Sequence, residues 1–312
     1  MTEAEQQDYL EGRGETRISF EEIDQRYTLK MRAFIKVCMP PIFQDLERRA
    51  RMFKMRQRGI APIMFHLVFE NTPTPLVFNS RLETEHKVSL RRSVTPDAKA
   101  PGGETVRLLL EMESRLTGRP GSGDADTLGF ERGAGPPVPA GSMRALHVIT
   151  RPVAAPGERQ VTEVPEELRS LRVRPFDGPL PGPEALAQVA AGFAPVAAGP
   201  WEEYTSVWGL PNTDINQHVN VHEYICGMEN HFSRLLFAAR QPVERHRIAR
   251  TELIFRKPFF PGDLYRIRGR IWLNGGKTLL VGAFHKAAAE GQVDERPSVA
   301  VRMEGEVDSP PR

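Results

Sequence analysis

Asp214-Ile215-Asn216-Gln217-His218-Val219-Asn220 is the stretch that decides the fold, because it stands directly before a long helical pattern. Between residues 221 and 240 the apolar residues recur at helical spacing and form one stripe. The stripe consists of Val221, Tyr224, Ile225, Met228, Phe232, Leu235, Leu236 and Ala239. Pro242 stops the pattern. We therefore predict a long amphipathic helix whose start carries a polar cluster.

Strand patterns surround this helix. A short β-rich run at 204–208 precedes it, and four strand patterns follow at 250–256, 264–273, 278–287 and 298–306. Pro261-Gly262-Asp263 indicates a turn, and Asn274-Gly275-Gly276 indicates a tight hairpin. The predicted order is strand, long helix and four strands.

The first half repeats this order loosely, without repeating the residues. We predict a strand over 26–36 and a charged helix over 41–58 with Pro41 in its first turn. Strands then follow at 63–70, 77–91, 106–117 and 143–151. One helix followed by an antiparallel meander packs naturally when the curved sheet wraps the apolar stripe of the helix. The fold class is therefore α+β, with two such modules in tandem.

Two stretches interrupt these patterns. Residues 118–142 are rich in Gly, Pro and Ala and predict a flexible insertion between strands. Residues 175–200 have a similar bias and predict an inter-module segment, with a short helix within 183–193. The expected division is an N-terminal module at 15–155, a linker at 156–200 and a C-terminal module at 201–308.

Composition excludes several classes of protein. The 42 basic and 40 acidic residues nearly cancel, so the sequence has no electrostatic signature of nucleic-acid binding. Cys38 and Cys226 have no CxxC spacing, which argues against a disulfide framework and a cysteine-based zinc site. The chain shows no signal-peptide pattern and no apolar run of membrane-spanning length. We expect a cytoplasmic protein without a metal, a cofactor or a membrane partner.

The polar cluster carries a family resemblance. Asp214-x-Asn216-x-His218-Val219-Asn220, followed by Tyr224, resembles the signature of hotdog-fold thioesterases of the acyl-ACP and 4-hydroxybenzoyl-CoA type. Acyl-ACP thioesterases carry a near-identical string in the second of two hotdog modules. The resemblance covers about residues 203–307 and, for the first module, rests on element order alone. It implies a tandem double hotdog that acts on an acyl thioester of acyl carrier protein or CoA, with a homodimer of such chains left open.

The residues also suggest the chemistry. A helix start offers free N–H groups and a partial positive charge, so the backbone amides near His218 to Val221 could hold the thioester carbonyl. Asp214 would act as nucleophile or general base, and the resemblance implies the same role. Asn216 and His218 would orient water or polarise the carbonyl, and His218 could protonate the leaving thiol. Asn220, Val221 and Tyr224 are the expected substrate-binding residues.

The sequence departs from the acyl-ACP thioesterase pattern at the second catalytic carboxylate. The stretch Phe255-Arg256-Lys257-Pro258 has no acid where the family places one. Glu252 on the same predicted strand, or Glu229 on the helix, could supply the second carboxylate. We predict Glu229 as the catalytic residue. The first module lacks the string and is expected to be non-catalytic.

Simpler interpretations remain for these residues. Helix capping would explain Asp214 or Asn216, although it leaves His218 and Asn220 without a reason. Cys226 is expected to be a buried inert thiol, because the sequence places no base beside it.

Other functions also remain open. The leading function is acyl thioester hydrolysis. A dehydratase or enoyl isomerase of the same fold and a non-catalytic acyl-carrier binding module are the alternatives.

Overall fold

The computed structural model describes residues 6–77, 80–97, 103–121, 136–214, 217–288 and 291–307. The chain forms two compact units. The first comprises Met1–Leu67 and Thr72–Leu180, and the second comprises Val68–Asn71 and Pro181–Arg312. The boundary at Leu180 falls within the linker expected at 156–200.

The first unit contains one long helix and an antiparallel meander. Its strands lie in the order β1-β3-β4-β5-β2, with β6 parallel to β3. The long helix packs on β1, β3 and β4. The elements are β1 (Leu10–Arg17), α1 (Ala33–Ala50), α2 (Met52–Gln57), β2 (Ala61–Asn71), β3 (Arg81–Pro96), β4 (Glu104–Gly118), β5 (Val138–Thr150) and β6 (Val173–Pro175).

The second unit has the same order of a strand, a long helix and four strands. The strands lie in the order β9-β12-β11-β10, and both β7 and β8 pair with β10. The elements are α3 (Pro183–Leu186), β7 (Ala194–Val196), β8 (Glu203–Val207), α4 (Val221–Ala238), β9 (His246–Phe255), β10 (Leu264–Asn274), β11 (Lys277–Ala287) and β12 (Val299–Val307). Within the described residues, six short 3-10 turns lie between these elements, among them Leu210–Asn212 before the site.

The helix α4 packs on the sheet as its apolar stripe predicts. Seven of its residues are buried: Tyr224, Ile225, Met228, His231, Phe232, Leu235 and Leu236. Gly269 and Gly282 oppose each other on β10 and β11 beneath this stripe. A Cβ at Gly269 would lie 2.9 Å from the His231 ring, and one at Gly282 would lie 2.8 Å from Met228 Sδ. The two glycines therefore allow the helix to approach the strands closely.

Most element predictions for the second half are confirmed. The helix begins at Val221, and the hairpin between β10 and β11 turns at Gly275 and Gly276 with Asn274 opposite Lys277. The alternating face of β10 is buried at Tyr265, Ile267, Gly269 and Ile271.

Two predictions for the first half are wrong. Residues 26–36 do not form a strand, and the helix begins at Ala33 instead of Pro41. Proline rules favour a helix start at Pro41, but Pro40 and Pro41 both lie inside α1. The helix continues through them because one face of α1 is buried, including Phe34, Cys38, Ile42, Leu46 and Ala50. The buried face thus overrides the local cost of the two prolines.

The remaining differences concern boundaries. The strand at the start of the chain, β1, was not predicted, since Gly12 and Gly14 interrupt its alternation. Part of the expected insertion at 118–142 lies outside the described residues, and β5 already begins at Val138. The short helix expected within 183–193 is confirmed as the four-residue α3.

The architecture is a mixed α/β fold with few helices and extensive antiparallel sheet. Among the residues that the structure covers, no helix combines the length and the apolar character that crossing a bilayer would require.

Candidate active site at the start of helix α4

The loop before α4 folds back on itself and brings two predicted residues together. The Asp214 N–H donates to the His218 carbonyl at 3.0 Å, and the Gln217 N–H donates to the Asp214 carbonyl at 2.9 Å. Thr213 and Val219 form an antiparallel bridge that closes the loop. Gln217 accommodates the turn with a φ of 61°. Asp214 and His218 therefore lie side by side in the backbone at the helix start.

Contacts with two other segments fix this loop. The Val219 N–H donates to the Phe259 carbonyl at 2.9 Å, and the Asn220 N–H donates to the Asn212 carbonyl at 2.9 Å. The Asn212 side-chain amide donates to the Glu223 carboxylate at 2.9 Å, which joins the loop to the first turn of α4. These bonds restrain the loop at both ends.

Capping was expected to explain Asp214 or Asn216 and not Asn220, and this expectation is wrong: Asn220 itself is the N-cap of α4. Its Oδ1 accepts the His222 N–H at 3.1 Å, and its carbonyl accepts the Glu223 N–H at 2.9 Å. In the described part of the chain, no acceptor lies on the Val221 N–H. The first-turn amide that remains to meet a ligand is therefore that of Val221.

The two central side chains differ in their surroundings. Asp214 is exposed, whereas His218 is half-buried, with its ring edge-on to Phe260 at a centroid distance of 5.1 Å. Asn216, the third predicted catalytic residue of the string, lies outside the described residues. The structure thus brings a carboxylate and an imidazole to the helix start and leaves the carboxylate accessible to water.

Phe260 was not predicted to belong to the site. Its N–H donates to Asp263 at 2.9 Å, and Asp263 also accepts a hydrogen bond from Lys286 Nζ at 2.7 Å. The same ammonium lies 5.3 Å from the centre of the Phe260 ring. Lys286 and Asp263 therefore hold the ring that contacts His218. No local pattern reveals this contact, because Phe260 follows His218 by 42 residues.

Tyr224 lies under the helix start in an aromatic cluster. It is only 3% exposed and contacts Trp208 edge-on at 5.5 Å and Phe284 at 5.4 Å. Trp208 in turn stacks on Tyr265 at 4.2 Å. Burial raises the pKa of Tyr224 well above its usual value. Its contacts are those of a packing residue that supports the helix start.

The flank of α4 carries a half-buried line of polar residues, His222, Cys226 and Glu229. Their spacing of four and three residues puts them on one helix face. The Cys226 Sγ lies 3.5 Å from His222 Nε2. The expectation of a buried thiol with no base beside it is therefore wrong: Cys226 is half-buried and contacts His222, four residues earlier on the helix. Glu229 lies on this flank, one turn beyond Cys226.

Glu252 lies on the other face of the sheet. Its cross-strand partner is Arg302, whereas the neighbouring Leu253 pairs with Val301 on the face toward α4. Glu252 also pairs with Arg250 at 3.0 Å. Of the two candidates for a second carboxylate, Glu229 lies on α4, the helix that begins at the site, whereas Glu252 lies on the sheet face away from this helix.

Arginines on the outer face of β10 are neutralised. Arg266 and Arg268 pair with Glu203 at 3.3 and 3.1 Å, and Arg270 pairs with Glu202 at 3.2 Å. Within the part of the chain that the structure describes, no group of three or more His, Cys, Asp or Glu side chains is arranged to hold a metal ion.

Comparison with known proteins places this geometry in context. No family model and no curated protein matches the sequence. Solved structures do match: a provisionally named oleoyl thioesterase from Lactobacillus plantarum aligns with a TM-score of 0.65 and 12% identity over 97% of both chains. The chain shares its fold with this thioesterase. The resemblance predicted from the sequence is thereby confirmed at the level of the fold.

Two further structures agree. An acyl-ACP thioesterase from Bacteroides thetaiotaomicron aligns with a TM-score of 0.57 and 12% identity, over 95% of this chain and 98% of the other. A 12:0-ACP thioesterase from Umbellularia californica aligns with a TM-score of 0.52 and 13% identity, over 96% and 94%. The shared fold therefore extends over nearly the whole chain and is not limited to the site.

Proposed function

We propose that this protein hydrolyses acyl thioesters at the start of α4. One observation carries the proposal: the loop that brings Asp214 beside His218 is tied by backbone hydrogen bonds to a helix N-terminus with an available amide. Carboxylate, imidazole and oriented N–H groups are the parts that thioester hydrolysis needs. The shared fold supports the proposal, since the three matched structures bear the names of thioesterases.

The proposed chemistry uses these groups in sequence. Asp214 takes a proton from a water molecule, and the water oxygen attacks the thioester carbonyl carbon. The Val221 N–H and the positive end of α4 stabilise the oxyanion, and one such donor is typically worth about 3 kcal/mol in the transition state. As the C–S bond breaks, His218 gives a proton to the sulfur and is reprotonated from Asp214. The products are a carboxylic acid and a free thiol.

The other predicted residues have supporting roles in this proposal. Asn216 would orient the water, and Glu229 would supply the second carboxylate. Asn220 would act by capping, and Tyr224 by packing under the helix start. The architecture that we propose is a tandem double hotdog with a non-catalytic module at 15–155, a linker at 156–200 and a catalytic module at 201–308.

The test is a panel of acyl-CoA and acyl-carrier-protein substrates of increasing chain length. Thiol release that follows enzyme concentration supports the proposal. A change in substrate absorbance with loss of water and no thiol would point to a dehydratase or isomerase. Binding of the carrier without any reaction would point to a non-catalytic module.

A covalent route is the second candidate mechanism for the same reaction, and the contact between Cys226 and His222 favours it. In that route His222 takes the proton of the Cys226 thiol, the thiolate attacks the carbonyl carbon, and His222 returns the proton to the departing carrier thiol. Water then hydrolyses the new thioester on Cys226, which releases the carboxylic acid and restores the Cys226 thiol. Cys226→Ala separates the two: full activity supports the water route, and loss of activity in a folded variant supports the covalent one.

A further inference from the structure

We propose that residues 48–58, called here the basic segment, form the surface on which an acidic acyl carrier protein docks. The inference rests on the proposed function, because the docked protein would carry the acyl thioester. It goes further by assigning the docking surface to the first unit and the preferred substrate to carrier protein over CoA. The segment runs from the end of α1 through α2, and its cations are Arg48, Arg49, Arg51, Lys54, Arg56 and Arg58.

The charge of the segment stands out from the rest of the chain. It holds six cations and no acidic residue within eleven positions. The whole chain has 42 basic and 40 acidic residues, so the remainder has 36 against 40 and is net negative by four. The six positive charges of the segment therefore exceed the net charge of +2 of the whole chain. Concentrated charge of one sign attracts and orients a partner of the opposite sign.

The segment presents this charge on a fixed backbone. All six cations are exposed, and Phe53 between them is 63% exposed. Ala50 and Met55 anchor the two helices in the core at 3% and 0% exposure. The Phe53 N–H donates to Glu47 at 2.9 Å, which fixes the start of α2. An exposed aromatic ring amid arginines has the composition of a protein interface.

Local structure accounts for only part of the charge. Arg48 pairs with Asp45 at 2.5 Å, and Arg58 pairs with Glu167 at 3.3 Å. Cations near a helix C-terminus also stabilise the helix, which gives a structural reason for one or two more. Among the described residues, no carboxylate lies within ion-pair distance of Arg49, Arg51 or Lys54. The arginines of β10, in contrast, are all paired with Glu202 or Glu203.

The geometry favours an acidic protein over other anionic partners. A lipid surface would need a broad apolar face for insertion, but α2 has six residues and one strongly exposed aromatic side chain, Phe53. A CoA nucleotide would need its phosphates gathered in a pocket, whereas these cations spread over the ends of two helices. An acidic helical carrier protein matches the spread, the sign and the central aromatic residue.

The experiment compares one variant on two substrates. Arg49→Glu, Lys54→Glu and Arg51→Glu are combined, which leaves the paired Arg48 and Arg58 intact. With dodecanoyl carrier protein we expect the KM to rise about tenfold or more, and the salt dependence of kcat/KM to weaken. With dodecanoyl-CoA we expect kcat and KM to stay within about twofold of wild type, since the surface does not touch the small substrate.

A control variant reverses three exposed cations elsewhere, Arg17, Arg174 and Lys277. The kcat and KM of this control variant should equal those of wild type with both substrates. Phe53→Ala tests the surface without changing its charge and should weaken carrier-protein kinetics alone. If the triple variant in the basic segment leaves carrier-protein kinetics unchanged, or lowers CoA turnover equally in a folded protein, the inference is wrong.

Failure of the proposed function is distinguishable from failure of this inference. If wild type hydrolyses neither substrate, titration of the protein with dodecanoyl carrier protein decides the inference separately. Salt-sensitive binding that the triple variant loses supports the surface, and absence of binding overturns it. Wild-type binding to vesicles with anionic phospholipid, lost in the triple variant while carrier-protein affinity is unchanged, would assign the surface to a membrane and overturn the inference as well.

Discussion

Asn220 offers a way to separate the stability of the helix start from its chemistry. Its Oδ1 accepts the His222 N–H at 3.1 Å. Removing a side-chain cap typically costs about 1 kcal/mol. In Asn220→Ala we therefore expect the melting temperature to fall by about 2–4 °C. Asn220→Asp keeps an oxygen acceptor at the cap, and its negative charge suits a helix N-terminus, so this variant should melt like wild type.

The two variants should rank in the opposite order for catalytic activity: the more stable Asn220→Asp should be the slower one. The proposed oxyanion forms on the amide of Val221, next to residue 220. Two negative charges about 5 Å apart repel by about 3 kcal/mol at an effective dielectric constant of about 20. Because the site is partly open to water, we expect a smaller effect, about tenfold to a hundredfold in kcat. Asn220→Asp should thus be stable and slow, and Asn220→Ala should be less stable but faster than Asn220→Asp.

The assays are thermal unfolding by circular dichroism and thiol release under saturating substrate at one pH. The comparison has a built-in control, since the aspartate variant keeps the fold while it changes the charge. If Asn220→Asp is as fast as wild type, no oxyanion develops at the start of α4, and the assignment of the Val221 amide is wrong. If Asn220→Ala melts at the wild-type temperature, the hydrogen bond to His222 adds no stability.

Three other predictions follow from the same unit. Gly269→Ala would place a Cβ 2.9 Å from the His231 ring, so the free energy of unfolding should fall by about 1–3 kcal/mol. Adding His231→Ala should remove most of this loss, because the ring that the Cβ meets is gone. If the effects of the two substitutions simply add, the contact between the two positions is not the cause. Burial lowers the pKa of His231 to about 4, below the value of about 6.5 in an unfolded chain, so the stability from the neutral ring is full above pH 6.5 and is lost as the pH falls toward 4. In His231→Leu, the free energy of unfolding measured with urea should depend less on pH over that range. A pH dependence equal to that of wild type would contradict the assignment of a neutral His231 ring. Phe260→Leu removes the edge contact to His218 and should lower kcat up to about tenfold at little cost in melting temperature, whereas a normal kcat would deny that Phe260 positions the imidazole.

The parts of the fold that the sequence predicts are those with a local cause. The start of α4 at Val221 follows from an apolar stripe behind a cap residue, and the turn at Gly275 follows from a two-residue hairpin signal. The start of α1 could not be predicted in this way. Its prolines indicate a helix start at Pro41, while burial of Phe34 and Cys38 begins the helix at Ala33, about two turns earlier.

The candidate site divides along the same line. Asp214 and His218 could be paired from the sequence, since a short loop before a helix start must turn back to meet it. The half-buried contact between Cys226 and His222 was also within reach, because it rests on helical spacing. Phe260 was not, since its segment comes from beyond two further elements and only the folded chain brings it to His218. Residues that are close in the sequence therefore identify the reacting groups, whereas the residues that position these groups are found only in the tertiary structure.

The carboxylate at position 214 is central to the account, and its direct test is the turnover of Asp214→Asn. This substitution keeps the size of the side chain and removes its charge. With the best substrate of the panel, we expect kcat to fall by about a hundredfold or more while the melting temperature stays within about 2 °C of wild type. Turnover within a few-fold of wild type in a folded protein would contradict the account.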